Sequence, residues 1–186
     1  MSTELNGVLT TQRLVLRPWR VDDAEQALAI YGDAEVARRL SPALGQVPDP
    51  ASMRLVLEQW ITENARTAAP SGRWAITAAD DGRVLGGAVL LPLPPGGEDL
   101  EFGWQLRQDS WGQGYAAEAG RALARWAFGH DVEEIFAVVR TTNSRAAATA
   151  RRIGMEWVGE TDKYYDLTLQ VYRLRMADLP PEPGTR

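Results

Sequence analysis

The run Trp104-Gln-Leu-Arg-Gln-Asp-Ser-Trp-Gly-Gln-Gly-Tyr-Ala-Ala-Glu-Ala119 carries the densest chemistry of this chain. An apolar, strand-like segment ends there, a loop with Gly112 and Gly114 follows, and an alanine-rich helix begins at once. Glycine permits close backbone approach and unusual dihedrals. The first turn of a helix offers unpaired N–H donors at the positive end of its dipole. Together they make a seat for a pyrophosphate.

Much other chemistry is excluded. The chain has no cysteine, so there are no disulfides, no thiolate metal sites and no cysteine nucleophile. His130 is the single histidine, which leaves no cluster for zinc and no convincing Ser-His-Asp set. A formal net charge of −5 argues against a general nucleic-acid binder, but backbone donors can still hold an anionic ligand. No apolar run approaches the roughly 20 residues of a membrane span. The start, Met1-Ser-Thr-Glu-Leu-Asn-Gly7, lacks the basic and apolar stretches of a signal peptide. The expectation is a cytoplasmic protein with no metal, no membrane and no nucleic-acid partner.

The elements that must position the loop read as one domain. Residues 1–12 read as a flexible leader, 13–178 as the domain and 179–186 as a tail. Arg13 to Pro18 is a short strand, 22–40 a helix with acids in its first turn, and 51–68 a second helix. The loop 41–50 between them is broken by Pro42, Pro48 and Pro50. Residues 74–78 and 84–91 form a hairpin about Asp80-Asp-Gly82. From 100 to 106 the residues alternate, with Leu100, Phe102, Trp104 and Leu106 on one face and Glu101, Gly103 and Gln105 on the other. A helix over 114–128, a strand over 134–140, a helix over 144–153 stopped by Gly154, and strands at 155–160 and 167–176 complete the order. The fold class is α/β of the α+β type: a mixed, mostly antiparallel sheet of about seven strands covered by about four helices.

In this order and spacing the chain resembles the GNAT superfamily of N-acetyltransferases, within it the Rim-type branch named for ribosomal-protein N-terminal acetylation. The carriers are Arg13-Leu-Val-Leu-Arg-Pro18, Gly86, Leu100-Glu-Phe-Gly-Trp-Gln-Leu106, Trp111-Gly-Gln-Gly-Tyr-Ala-Ala-Glu-Ala119, and Asn143 with Gly154 eleven residues on. The resemblance implies the acyl-CoA N-acyltransferase fold and acetyl-CoA as co-substrate. The superfamily loop has the form Gln/Arg-x-x-Gly-x-Gly/Ala, matched here by Gly114 and Ala116, with Trp111 where Gln or Arg is usual. It implies that backbone N–H groups of Trp111, Gly112, Gln113, Gly114, Tyr115 and Ala116 hold the CoA pyrophosphate. It also implies that the strand ending Gln105-Leu106-Arg107 pairs through its main chain with the pantetheine arm. Asn143 becomes a CoA-side contact, a reading compatible with a helix N-cap. Arg145 is preferred over Arg151 and Arg152 as a phosphate contact.

The implied reaction is direct attack of an amine on the acetyl thioester. An α-amine, titrating near about 8, needs less help at neutral pH than a lysine near about 10.4. Glu101 is chosen as the base, with Glu98 and Asp99 as competitors, and a backbone N–H of the same strand would hold the oxyanion. Glu101 and Asn143 are thus the catalytic candidates. The chain departs from the superfamily where a proton donor for the thiolate is expected, carrying Ala150 and Ala146 instead. Tyr164, Tyr165 and Thr149 are the candidate replacements. Trp60 and Trp74 are candidates for the acceptor pocket. The acceptor is open between a protein N-terminus and a small-molecule amine, as is a homodimer through sheet edges or the front helices.

Two other readings of the loop are tested against it. Gly112-x-Gly114-x-x-Ala117 fits a relaxed dinucleotide fingerprint, but the next strand ends Arg140-Thr-Thr-Asn143, without the acid that holds a ribose. No Lys-Ser/Thr follows the glycines, so a P-loop fails too. The alternative that survives is a degenerate acyl-CoA-binding or interaction protein of the same fold.

Overall fold

Alternation and caps set most of the elements directly. The computed structural model describes residues 7–40, 43–94 and 97–181. Strands β1 (Leu9–Thr10) and β2 (Leu14–Arg17) lead into helices α1 (Ala24–Tyr31), α2 (Ala34–Leu40) and α3 (Pro50–Asn64). Strands β3 (Gly72–Ala78), β4 (Val84–Pro92) and β5 (Leu100–Leu106) follow, then α4 (Tyr115–Phe128), β6 (Glu134–Arg140), α5 (Ser144–Ile153), β7 (Glu156–Thr161) and β8 (Leu169–Arg175). One eight-stranded sheet runs in the order β1-β2-β3-β4-β5-β6-β8-β7, and β5/β6 is its parallel pair.

The expected counts of seven strands and four helices become eight and five, for local reasons. The helix expected over 22–40 is two helices. A Cβ at Gly32 would lie 2.6 Å from the Leu28 carbonyl, and Asp33 restarts the chain by accepting from the N–H groups of Glu35 (2.8 Å) and Val36 (3.1 Å). The second expected helix stops at Asn64, whose carboxamide oxygen accepts from Arg73 N–H at 2.8 Å and so ties the helix end to β3. Leu9 and Thr10, read as leader, pair with Leu16 and Val15. Residues 1–6 of that leader, residues 182–186 of the tail, and Ser41 and Pro42 lie outside the described residues.

Two cores sit on opposite faces of the sheet. Under α4 and α5, Phe102, Ile135, Tyr172 and Leu123 are buried together. Helix α4 lies close because Gly120 has no side chain; a Cβ there would come within 2.9 Å of Phe102 and closer still to Ile153. Under α1 and α3, Trp19, Ile30, Met53 and Leu57 form the second core.

The sheet is not continuous at its centre. β4 and β5 stay in register through Gly86↔Leu106, and β6 and β8 through Arg140↔Leu169. The β5/β6 register covers Leu100↔Ile135 and Glu101↔Phe136. Beyond those pairs the two parallel strands part, and a wedge opens at their C-terminal ends, where ligands of α/β sheets collect.

Candidate active site

The wedge is a cavity of about 420 Å³. Its walls are β5 from Glu101 to Leu106, the loop and first turn of α4, the end of β6, helix α5, part of α2, and Tyr165.

The loop holds its shape through two left-handed glycines and an arginine. Gly112 and Gly114 have φ of +77° and +82°, a region closed to most side chains. Gly114 is the N-cap of α4 and supplies no side-chain cap. The N–H groups of the first turn therefore open onto the cavity among Gly114, Tyr115, Ala116 and Ala117, and this arrangement fits a pyrophosphate. Arg13 braces the loop from outside the cavity. Its guanidinium donates to the Gln113 carbonyl at 2.9 Å, pairs with Glu118 at 2.7 Å and lies 4.6 Å from the Tyr115 ring centroid. Glu118 also accepts from Thr11 Oγ1 at 2.6 Å. Burial alone would raise the Glu118 carboxyl, but the hydrogen bonds from Thr11 and Arg13 and the Arg13 charge hold it below its ordinary value. Arg13→Met removes charge-assisted hydrogen bonds of about 1.5–3 kcal/mol each in favourable cases. We expect the acetyl-CoA KM to rise about tenfold or more, since every 1.4 kcal/mol is tenfold, with a smaller change in kcat.

Main-chain direction along β5 follows from its register. Arg107 N–H donates to the Leu85 carbonyl at 2.9 Å, so Gln105, Gly103 and Glu101 are the residues hydrogen-bonded to β4. The N–H and C=O groups of Phe102, Trp104 and Leu106 are turned the other way, toward β6. Past Glu101↔Phe136 they face the wedge. The Leu106 carbonyl accepts from Trp111 Nε1 at 3.0 Å, which pins the indole across the mouth of the wedge. The guanidinium of Arg145 lies 3.7 Å from that ring's centroid, and that of Arg39 5.5 Å.

Several expected residues take other places. Gln105 was expected to face the pantetheine through its main chain, but that main chain belongs to the ladder with Gly87; the residue lines the cavity, and its side chain accepts from Tyr31 O–H at 3.1 Å. Arg107 and Gln113 do not line the cavity. Asp109, two residues on, draws the Arg107 guanidinium into a pair at 3.1 Å, and Gln113 Nε2 donates to the Asp109 carbonyl. Leu106, Trp111, Gly112, Gly114, Tyr115, Ala116, Asn143 and Arg145 all line it. Asn143 is the N-cap of α5, its Oδ1 accepting from Ala146 N–H at 3.1 Å. Trp74 is core, its Nε1 donating to the Gly7 carbonyl. Trp60 packs on Trp19 and Tyr31 beside a separate hollow of about 240 Å³.

Glu101 stands where β5 and β6 separate. Burial pushes its carboxyl up to about 7, against the lowering effect of a hydrogen bond from Tyr165 Oη at 3.1 Å. Its competitors Glu98 and Asp99 are exposed and off the cavity. Tyr165 reaches it from the loop between β7 and β8 through left-handed backbone, φ +59°, followed by Asp166 at +53°. Burial, the Glu101 charge and the hydrogen bond to Glu101 all push the Tyr165 phenol above its ordinary value. Of the three hydroxyls considered, Tyr165 and Thr149 line the cavity and Tyr164 does not. Ala150 is buried in the core, and Ala146 lines the cavity without a hydroxyl.

Tyr31 and Arg39 carry no motif, and Arg13 was read only as the start of the first strand, so sequence reasoning gave none of the three a place at the site. Tyr31 reaches Gln105 across Gly87, where a Cβ would collide with its hydroxyl, so an unexplained glycine in β4 was the available signal.

Residues 13–156 match the acetyltransferase (GNAT) domain family. The FsC-acetyl coenzyme A-N(2)-transacetylase of Aspergillus fumigatus is 26% identical over 174 residues, covering 89% of this chain and 72% of that protein. An acetyltransferase structure from Agrobacterium tumefaciens superposes with a TM-score of 0.74 at 26% identity, covering 95% of this chain and 98% of that one. The Mycobacterium smegmatis RimJ structure, in complex with CoA-disulfide, superposes with a TM-score of 0.73 at 17% identity, covering 91% and 85%. With that domain match over most of its length, the chain belongs to the GNAT family of acetyltransferases.

Proposed function

We propose that the wedge transfers acetyl from acetyl-CoA to a primary amine by direct attack, with Glu101 as general base. The observation that carries this is a half-buried carboxylate, pushed up to about 7, at the point where the sheet splits beside an uncapped, glycine-lined helix start. Acetyl-CoA supplies the activated thioester. The first-turn N–H groups of α4 hold its pyrophosphate, and Arg145 on the Trp111 face meets a phosphate. Trp104 N–H, turned into the wedge, holds the thioester oxygen as charge develops on it. Glu101 takes the amine proton while Tyr165 fixes its Oε2. A thiol titrates near about 8.5, so the sulfur leaves without a dedicated acid, and Tyr165 and Thr149 are the candidate hydroxyls lining the cavity.

An amine acceptor is supported by the name of the Aspergillus relative, an N(2)-transacetylase, and a protein N-terminus by the resemblance of the sequence motifs to the Rim-type branch. A base near pH 7 suits an α-amine, which carries its extra proton only to about pH 8. The second reading, an acyl-CoA-binding protein without transfer, is favoured by Ala146 and Ala150.

Thermal unfolding with acetyl-CoA, NAD or ATP, with CoA thiol release followed in pooled amines, separates the two. At about 100 times its Kd, acetyl-CoA should add roughly 2.7 kcal/mol, and NAD and ATP nothing. Thiol release should depend on amine. Stabilisation with no release by any amine favours the binding reading, and no stabilisation contradicts both.

A further inference from the structure

Strand β7 ends the sheet. It pairs with β8 on one side, and its other edge has no partner among the described residues. A free edge is a template for another strand unless the chain blunts it. A bulge does so here. Trp157 sits opposite Tyr172 and Gly159 opposite Val171, so Val158 is an extra residue, and Gly159 takes φ +137° beside it. The regular row of main-chain groups is broken at mid-strand, and the edge offers side chains instead.

Those side chains are unusual for a surface. Trp157 is 52% exposed and its neighbour Val158 43%. Tyr172 and Gln170, two apart in β8, share a face, and the Tyr172 hydroxyl donates to Gln170 Oε1 at 3.3 Å. Their partners Trp157 and Glu160 therefore share that face too, three apart because of the bulge. Tyr172 is buried in the core under α4 and α5, so this is the side of the sheet that α5 covers. The last turn of α5 brings Arg151 there, its guanidinium 5.7 Å from the Tyr172 ring centroid.

Arg151 and Glu160 are both exposed, and neither forms an ion pair among the described residues. Glu156, by contrast, pairs with Arg173 at 3.4 Å. An exposed tryptophan is thus flanked by one unpaired cation and one unpaired anion. Such a patch is complementary to itself, which is what a two-fold interface requires. An axis bisecting the line from Arg151 to Glu160 sets each against the other in the second copy. Trp157, beside that axis, meets its own counterpart. Tryptophan and arginine are also the residues that carry most binding energy in interfaces.

We propose that the protein pairs with a second copy of itself through the α5 side of the β7 edge, Trp157 on Trp157, with Arg151 on Glu160 in both directions. Arg151, Trp157, Val158 and Glu160 do not line the wedge, and the pairing does not depend on acetyl transfer.

Sedimentation velocity of the whole chain across a dilution series tests this. The wild type should sediment as a dimer that dissociates on dilution. Trp157→Ser should weaken pairing about thirtyfold or more, the effect of truncating a central tryptophan. Glu160→Arg and Arg151→Glu each set like charges against one another, and each should sediment as a monomer where the wild type pairs. The double variant Glu160→Arg/Arg151→Glu remakes both ion pairs with the signs exchanged, and it should pair within about tenfold of the wild type. Recovery in the double variant cannot come from damaged folding. A wild type that is monomeric throughout the series overturns the proposal, as does pairing that Trp157→Ser or the single charge reversals leave unchanged. A double variant that pairs no better than the single ones overturns it too.

Discussion

Glu101→Gln lowers kcat by about 10²–10³, on the order of 3–4 kcal/mol of barrier, with little change in acetyl-CoA affinity. The amide keeps the shape and can still accept from Tyr165, but it cannot take a proton. Because the wild-type carboxyl titrates near about 7, it works as a base only above that pH. Wild-type kcat/KM should therefore rise through about pH 7, and the variant should lose that inflection. A pH–rate profile of both proteins checks this, and an unchanged profile would remove Glu101 as the base.

The same substitution moves stability in the opposite direction. The folded state holds the Glu101 proton more tightly than the unfolded chain, whose ordinary value is 4.5. The wild type therefore loses stability as pH rises from about 4.5 to about 7, and no further above that window. A displacement of this size corresponds to on the order of 3 kcal/mol at most. Denaturant unfolding should find Glu101→Gln gaining on the wild type across that window and keeping its gain at pH 8. A site that stores charge for chemistry is relieved when the charge goes.

Gly114→Trp abolishes acetyl-CoA binding. Two effects act together there. A non-glycine residue at φ +82° costs on the order of 1–3 kcal/mol. The side chain also starts beside the cavity mouth, with its Cβ 3.5 Å from the Arg13 guanidinium that braces the loop. Gly114→Ala separates the two, since it carries the strain with little bulk, and we expect it to weaken binding about tenfold. Calorimetric titration with acetyl-CoA checks the pair. Wild-type affinity in Gly114→Trp would contradict the assignment of the loop.

Local pattern made much of this molecule legible. The alternation over 100–106 and over 134–140 and the Asn143 and Gly154 caps set those elements to the residue. The break at Gly32-Asp33 was missed because the apolar pattern continues across it and the restart is made by the Asp33 side chain. Leu9–Thr10 is too short for a period of its own and exists through its pairing with β2. The two left-handed glycines and the uncapped helix start were legible for the same local reason.

The reactive half of the site was less so. Alternation places Gln105 on a face of β5, but which edge of the strand is free depends on its pairing with β4, a tertiary fact. Arg107 was drawn aside by Asp109, a partner equally visible in the sequence but not compelled by it. Tyr165 arrives from an irregular loop through two successive left-handed residues, and no local rule announces its contact with Glu101, 64 positions away.

The most direct test of direct transfer in the wedge is the mass of the amine itself. Wild type and Glu101→Gln are incubated at pH 8 with acetyl-CoA and a leucine-initiated peptide amide, and the peptide is weighed by mass spectrometry over time. One acetyl group should appear on the α-amine in step with CoA release, at least about 10² times slower with the variant. CoA release with no acetylated peptide, or equal acetylation by both proteins, would contradict the account.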